Sequence, residues 1–200
     1  NDVCNEYVKV LELKPDYPEA LMYLVEIYGM LPKNMGGDKT KAEEYARKLE
    51  KMDEFYGAKA RLVLMPEGTD MEKYWKNYLS KDEKDYRAWK ELGVANIFND
   101  NIEAAKENFE KAIALDKSQN IRMLDLARYY MMRVRQNQDA AIEVLPEAKE
   151  YINQYLASLP EPIAPLKAYS IGKIAHIELM LGNNAEAEKK LEEAKSIDPY

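Results

Sequence analysis

The chain has 200 residues, 46% apolar and 32% charged, which is enough to bury a core and too apolar for a disordered segment. Its net charge of -7 argues against binding a nucleic-acid backbone, because displacing counterions from phosphates needs a basic face. A single cysteine, Cys4, excludes an intrachain disulfide, and the most apolar stretch, residues 20–31, is short and interrupted by Glu26, so it is no membrane span.

Residues 3–14 read as an amphipathic helix carrying Tyr7 and Val10. A helix over 18–31 follows, with Leu21, Leu24, Val25 and Tyr28 on its buried face, and then one over about 40–52, with Ala42, Ala46 and Leu49 inward. Thr40 and Glu43 have the spacing of a capping box, in which each side chain satisfies the other's free backbone N–H. Residues 55–65 read as a short helix, and Thr69 to Glu72 as a second capping box opening a helix with Met71, Trp75 and Tyr78 inward. Residues 86–117, YRAWKELGVANIFNDNIEAAKENFEKAIALDK, give two helices: Trp89, Leu92 and Gly93 on the first, Ala105, Phe109 and Ala112 on the second. A helix over 120–135 buries Met123, Leu126, Ala127 and Tyr130. Its partner begins at Pro146, as the first helical position suits a residue without an N–H, and turns Ala148, Ile152 and Tyr155 inward. The last pair carries Ile171, Ile174 and Ala175, a stop at Gly182 where positive φ is cheap, an Asn start at Asn183 or Asn184, and then Ala187, Leu191 and Ala194.

Chemistry-bearing motifs are absent. Gly36-Gly37-Asp38-Lys39-Thr40 lacks the Gly before the lysine and the preceding strand of a phosphate loop, and Asp38 repels phosphate. His176 is the sole histidine and lies far from Cys4 along the chain, so neither a metal site nor a Cys–His pair is expected, and no cofactor motif occurs. Glu43-Glu44, Asp82-Glu83-Asp85 and Glu192-Glu193 stand among lysines and read as solvated faces.

The large and small apolar residues at Trp89, Leu92, Gly93, Ala105, Phe109 and Ala112 resemble the tetratricopeptide repeat, a helix-turn-helix unit of 34 residues. Aligning Asp198-Pro199 with the end of a unit extends the resemblance to repeats over 18–54, 55–85, 86–119, 120–163 and 165–200, after an orphan second helix at 3–14. LPKNMGGDKTKA resembles a Gly-Gly-Asp variant of bacterial members of the family, and residues 31–37 and 136–145 exceed its usual turn. The resemblance implies an all-α, right-handed superhelical solenoid over the whole chain, with no catalysis and with a protein or peptide partner held in the concave face. Family ligand positions fall on Glu19, Met22, Glu26 and Met30; on Tyr56, with Ala60; on Arg87, Lys90 and Val94, with Ile97; on Leu124, Arg128 and Met131, with Met132; and on Tyr169, Lys173, His176 and Met180. That surface, rich in Met and Tyr, suits an apolar or helical peptide. The family's clamp for a terminal carboxylate is missing, since Met22 and Glu26, or Lys90 and Val94, occupy its first two positions. Two other roles stay open: a carrier or sensor of a small apolar ligand in the groove, and an accessory domain of an enzyme whose catalytic part lies elsewhere. The chain starts inside a repeat, which suggests a piece of a longer protein or a removed leader, cytoplasmic or periplasmic, and unpaired ends imply self-association.

Overall fold

The computed structural model describes residues 2–199, and among them it contains eleven α-helices and no strand. The helices fall into two compact units, one up to Ala88 and one from Trp89 onward.

The first unit holds α1 (Asp2–Leu13), α2 (Pro18–Met30), α3 (Lys39–Met52), α4 (Glu54–Leu64) and α5 (Met71–Leu79). Helices α2, α3 and α4 all pack on one another, and their core is Leu21, Met22, Val25, Ala46, Leu49 and Ala60. The alanines let the helix backbones approach while the larger side chains fill the remaining space. Beside this core, Phe55 of α4 stacks on the buried Trp75 of α5 with ring centroids 5.6 Å apart.

Helix α6 (Tyr86–Phe98) runs across the division. The second unit continues with α7 (Ile102–Leu115), α8 (Arg122–Gln136), α9 (Ala141–Leu156), α10 (Ala164–Met180) and α11 (Asn184–Ile197). Phe109, Leu126, Val134, Leu145, Ile152, Ile174 and Ile177 form its core. A Cβ on Gly93 would meet the Phe109 ring at 2.4 Å, so the expected large-against-small match between α6 and α7 rests on direct contact. The same two helices share a buried polar contact, in which Asn108 Nδ2 donates to Asn96 Oδ1 at 2.7 Å. Helix α9 packs on α8 and α10, and α10 on α11. The α10–α11 turn places Gly182 at φ 80°, as its sequence position requires.

Several local expectations are corrected. Asp38, rather than Thr40, caps α3, accepting from the Thr40 and Lys41 N–H groups at 3.1 Å; the helix therefore starts earlier than expected and Thr40 lies inside its first turn. Likewise Asp70 caps α5 by accepting from Lys73 N–H at 2.9 Å, whereas the Thr69 hydroxyl turns back to Pro66 O. Met71 is exposed, and Trp75 and Leu79 supply the buried face of α5. Pro146 lies inside α9, which starts at Ala141. The stretch 136–145 is therefore largely helical, comprising the end of α8, the 3₁₀ turn Gln138–Ala140 and the first residues of α9. The carbonyl deprived of its partner by Pro146 belongs to Ile142, an exposed residue. Leu191, placed at an apolar repeat position, is half-exposed.

Candidate functional site

In the first unit the expected groove residues are mostly engaged by the fold. Met22 and Ala60 are core residues and so are removed from any surface. Arg87 donates from Nη2 to Asp85 Oδ2 at 2.9 Å and from Nη1 to Asp53 Oδ2 at 3.0 Å, while its guanidinium lies 4.5 Å from the Phe55 ring centre. Burial alone would raise the Asp85 carboxyl, but Arg87 outweighs it and holds the group below the usual aspartate range. Glu19 accepts the Tyr56 hydroxyl at 3.0 Å. Burial, reinforced by that bond to Glu19, pushes the Tyr56 phenol up to about 12. Glu26 is half-buried, and Met30 is exposed.

In the second unit Lys90 pairs with its neighbour Glu91 at 2.9 Å, while Val94 and Ile97 pack against the core. The remaining positions converge. Leu124, Arg128, Met131, Met132, Tyr169, Lys173, His176 and Met180 line one concavity of about 270 Å³ between α8 and α10. Helical geometry explains the convergence, because residues three, four and seven apart share a face. Arg128, Met131, Met132 and Arg135 follow one such face of α8, and Tyr169, Lys173, His176 and Met180 one of α10. Ala127 and the buried Ile152 of α9 complete the lining. Arg135 was missed because the repeat positions carried over stop short of it, although its spacing of seven from Arg128 marks it as a member of the same face.

The rim is held by a few polar contacts. Lys173 Nζ stands 5.0 Å over the Tyr169 ring. Asp125 accepts from Arg122 at 2.7 Å and from Arg128 at 3.2 Å, yet the Arg128 side chain keeps 62% of its surface exposed. Behind α10, the buried Glu178 is gripped by the Lys149 ammonium and by Asn183 Nδ2, the latter at 2.7 Å. The bonds to Lys149 and Asn183 keep its carboxyl below the ordinary glutamate range against the opposing effect of burial. Asn183, the expected helix cap, makes no capping bond and spends its amide on Glu178.

Among the described residues no group of three or more His, Cys, Asp or Glu could hold a metal ion, and no helix is long and apolar enough to cross a membrane. What the fold defines is an all-α protein of many packed helices, with a concavity lined by methionines, a tyrosine and cations. Neither a protein-family model nor a curated protein matches the chain.

Proposed function

We propose that this chain is a non-catalytic scaffold, a solenoid of tetratricopeptide-like units that holds a segment of a partner protein against α8 and α10. The observation that carries this reading is the convergence of eight expected ligand positions, drawn from two stretches some forty residues apart, on one concavity. Methionine thioethers adapt their shape to an apolar side chain, and Tyr169 offers a flat amphipathic face. The lining has a single histidine, His176, and no cysteine, serine or carboxylate beside it to form a nucleophile–base pair.

Changing Arg128, Met131, Tyr169 and Lys173 together to Ala tests the reading. The wild-type chain and the variant are compared by affinity capture and quantitative mass spectrometry, with circular dichroism as the control for folding. Partners retained by the wild type are expected to fall at least tenfold with the variant. Equal capture of every partner by a folded variant would sink the assignment.

A further inference from the structure

We propose that the segment held between α8 and α10 is acidic, a stretch of partner polypeptide in which carboxylates flank a large apolar side chain. This deepens the scaffold reading and rests on it. Asp and Glu outnumber Lys and Arg in the chain, 36 to 29, yet the concavity is lined by Arg128, Arg135 and Lys173, and no carboxylate among the described residues lines it. The only acids on the two helices are already committed: Asp125 to Arg122 and Arg128, and Glu178 to Lys149 and Asn183. A cationic patch whose lining holds no carboxylate of its own leaves its charge to attract a partner's carboxylates, and it selects by charge as well as by shape.

The apolar half of the occupant follows from Met131 and Met180, which line the same space beside the cations. A polypeptide fits better than an enclosed small molecule, because Met132 and Tyr169, which line the concavity, are also 52% and 47% exposed, so its apolar surface opens onto solvent at the rim. A chain crossing the rim covers those side chains; a small ligand seated inside leaves them wet.

The test pans a random dodecapeptide phage library on the wild-type chain and on an Arg128→Ala, Arg135→Ala, Lys173→Ala variant, with urea midpoints confirming that both are folded. Selected peptides are expected to be rich in Asp and Glu beside Leu, Met or Phe. A synthetic copy should bind the wild type at least tenfold more tightly than the variant in fluorescence anisotropy. Its affinity should fall several-fold between about 50 and about 200 mM salt, as screening shortens the reach of the cations. Apolar winners without acid enrichment, lost on Met131→Ala but kept by the triple variant, overturn the charge inference and leave the scaffold reading standing. Failure to select any peptide that depends on these residues overturns both. A co-purified small carboxylic acid, seen by native mass spectrometry on the wild type and lost from the triple variant, overturns the polypeptide as occupant.

Discussion

Arg87 and Arg128 hold equivalent expectations in the sequence and opposite situations in the fold. Arg87, in the first unit, is closed in by Asp85, Asp53 and the Phe55 ring, and its charge is consumed by the protein itself. Arg128, in the second, has one 3.2 Å partner and remains largely in water. Both are arginines on helix faces where a ligand was expected. A position on a helix therefore reports which way a side chain leaves that helix, and the charges packed around it decide whether it is available to a ligand.

The largest test of that contrast is a pair of alanine substitutions followed by urea unfolding. Arg87→Ala should cost about 3 kcal/mol, because it leaves the buried Asp85 without its cation. Arg128→Ala should change stability by no more than about 0.5 kcal/mol. Similar costs at the two sites would erase the distinction.

A smaller effect is expected at Glu178, where the contrast can be sharpened with pH. Glu178→Gln should lose about 1–2 kcal/mol near neutrality, since it weakens a charge-assisted bond to Lys149. The folded carboxyl sits below its unfolded value, so its stabilisation is present above roughly pH 4.3 and disappears as the pH falls through the folded value. The gap between wild type and variant should therefore narrow on acidification from about pH 6 to about pH 3. A gap that widens over that range would contradict the sign of the shift.

The smallest test concerns helix entry in the first unit. Asp38→Ala should destabilise by about 1 kcal/mol and Thr40→Ala by only a few tenths, read from urea midpoints. The reverse order would restore the capping box at Thr40.

Most helices were legible because their apolar residues repeat at helical spacing and their ends carry Pro, Gly or Asn, as at Pro18 and Gly182. The caps at Asp38 and Asp70 were not, because two oxygen-bearing residues within three positions each offer a helix start and only the backbone geometry chooses between them. The start of α9 was missed for a related reason, since Pro146 is a good opening residue and is also tolerated further in, where the orphaned carbonyl meets solvent. At the site, the faces of α8 and α10 could be read from spacing. What spacing did not reveal was that Met22 lies in the core and Arg87 in an ion network, because both depend on residues remote in sequence: Ala60 for one, Asp53 for the other.

The amide pair of Asn96 and Asn108 acts as an index mark for the α6–α7 hairpin. Sliding α7 by one turn would strand Asn96 Oδ1 in the interior at about 1–3 kcal/mol and would also move the Phe109 ring off Gly93. The bond runs one way, from Asn108 to Asn96, and Asn96 Nδ2 has no hydrogen-bond partner among the described residues. The buried amide bond and the Gly93–Phe109 fit together distinguish a single register from its neighbours.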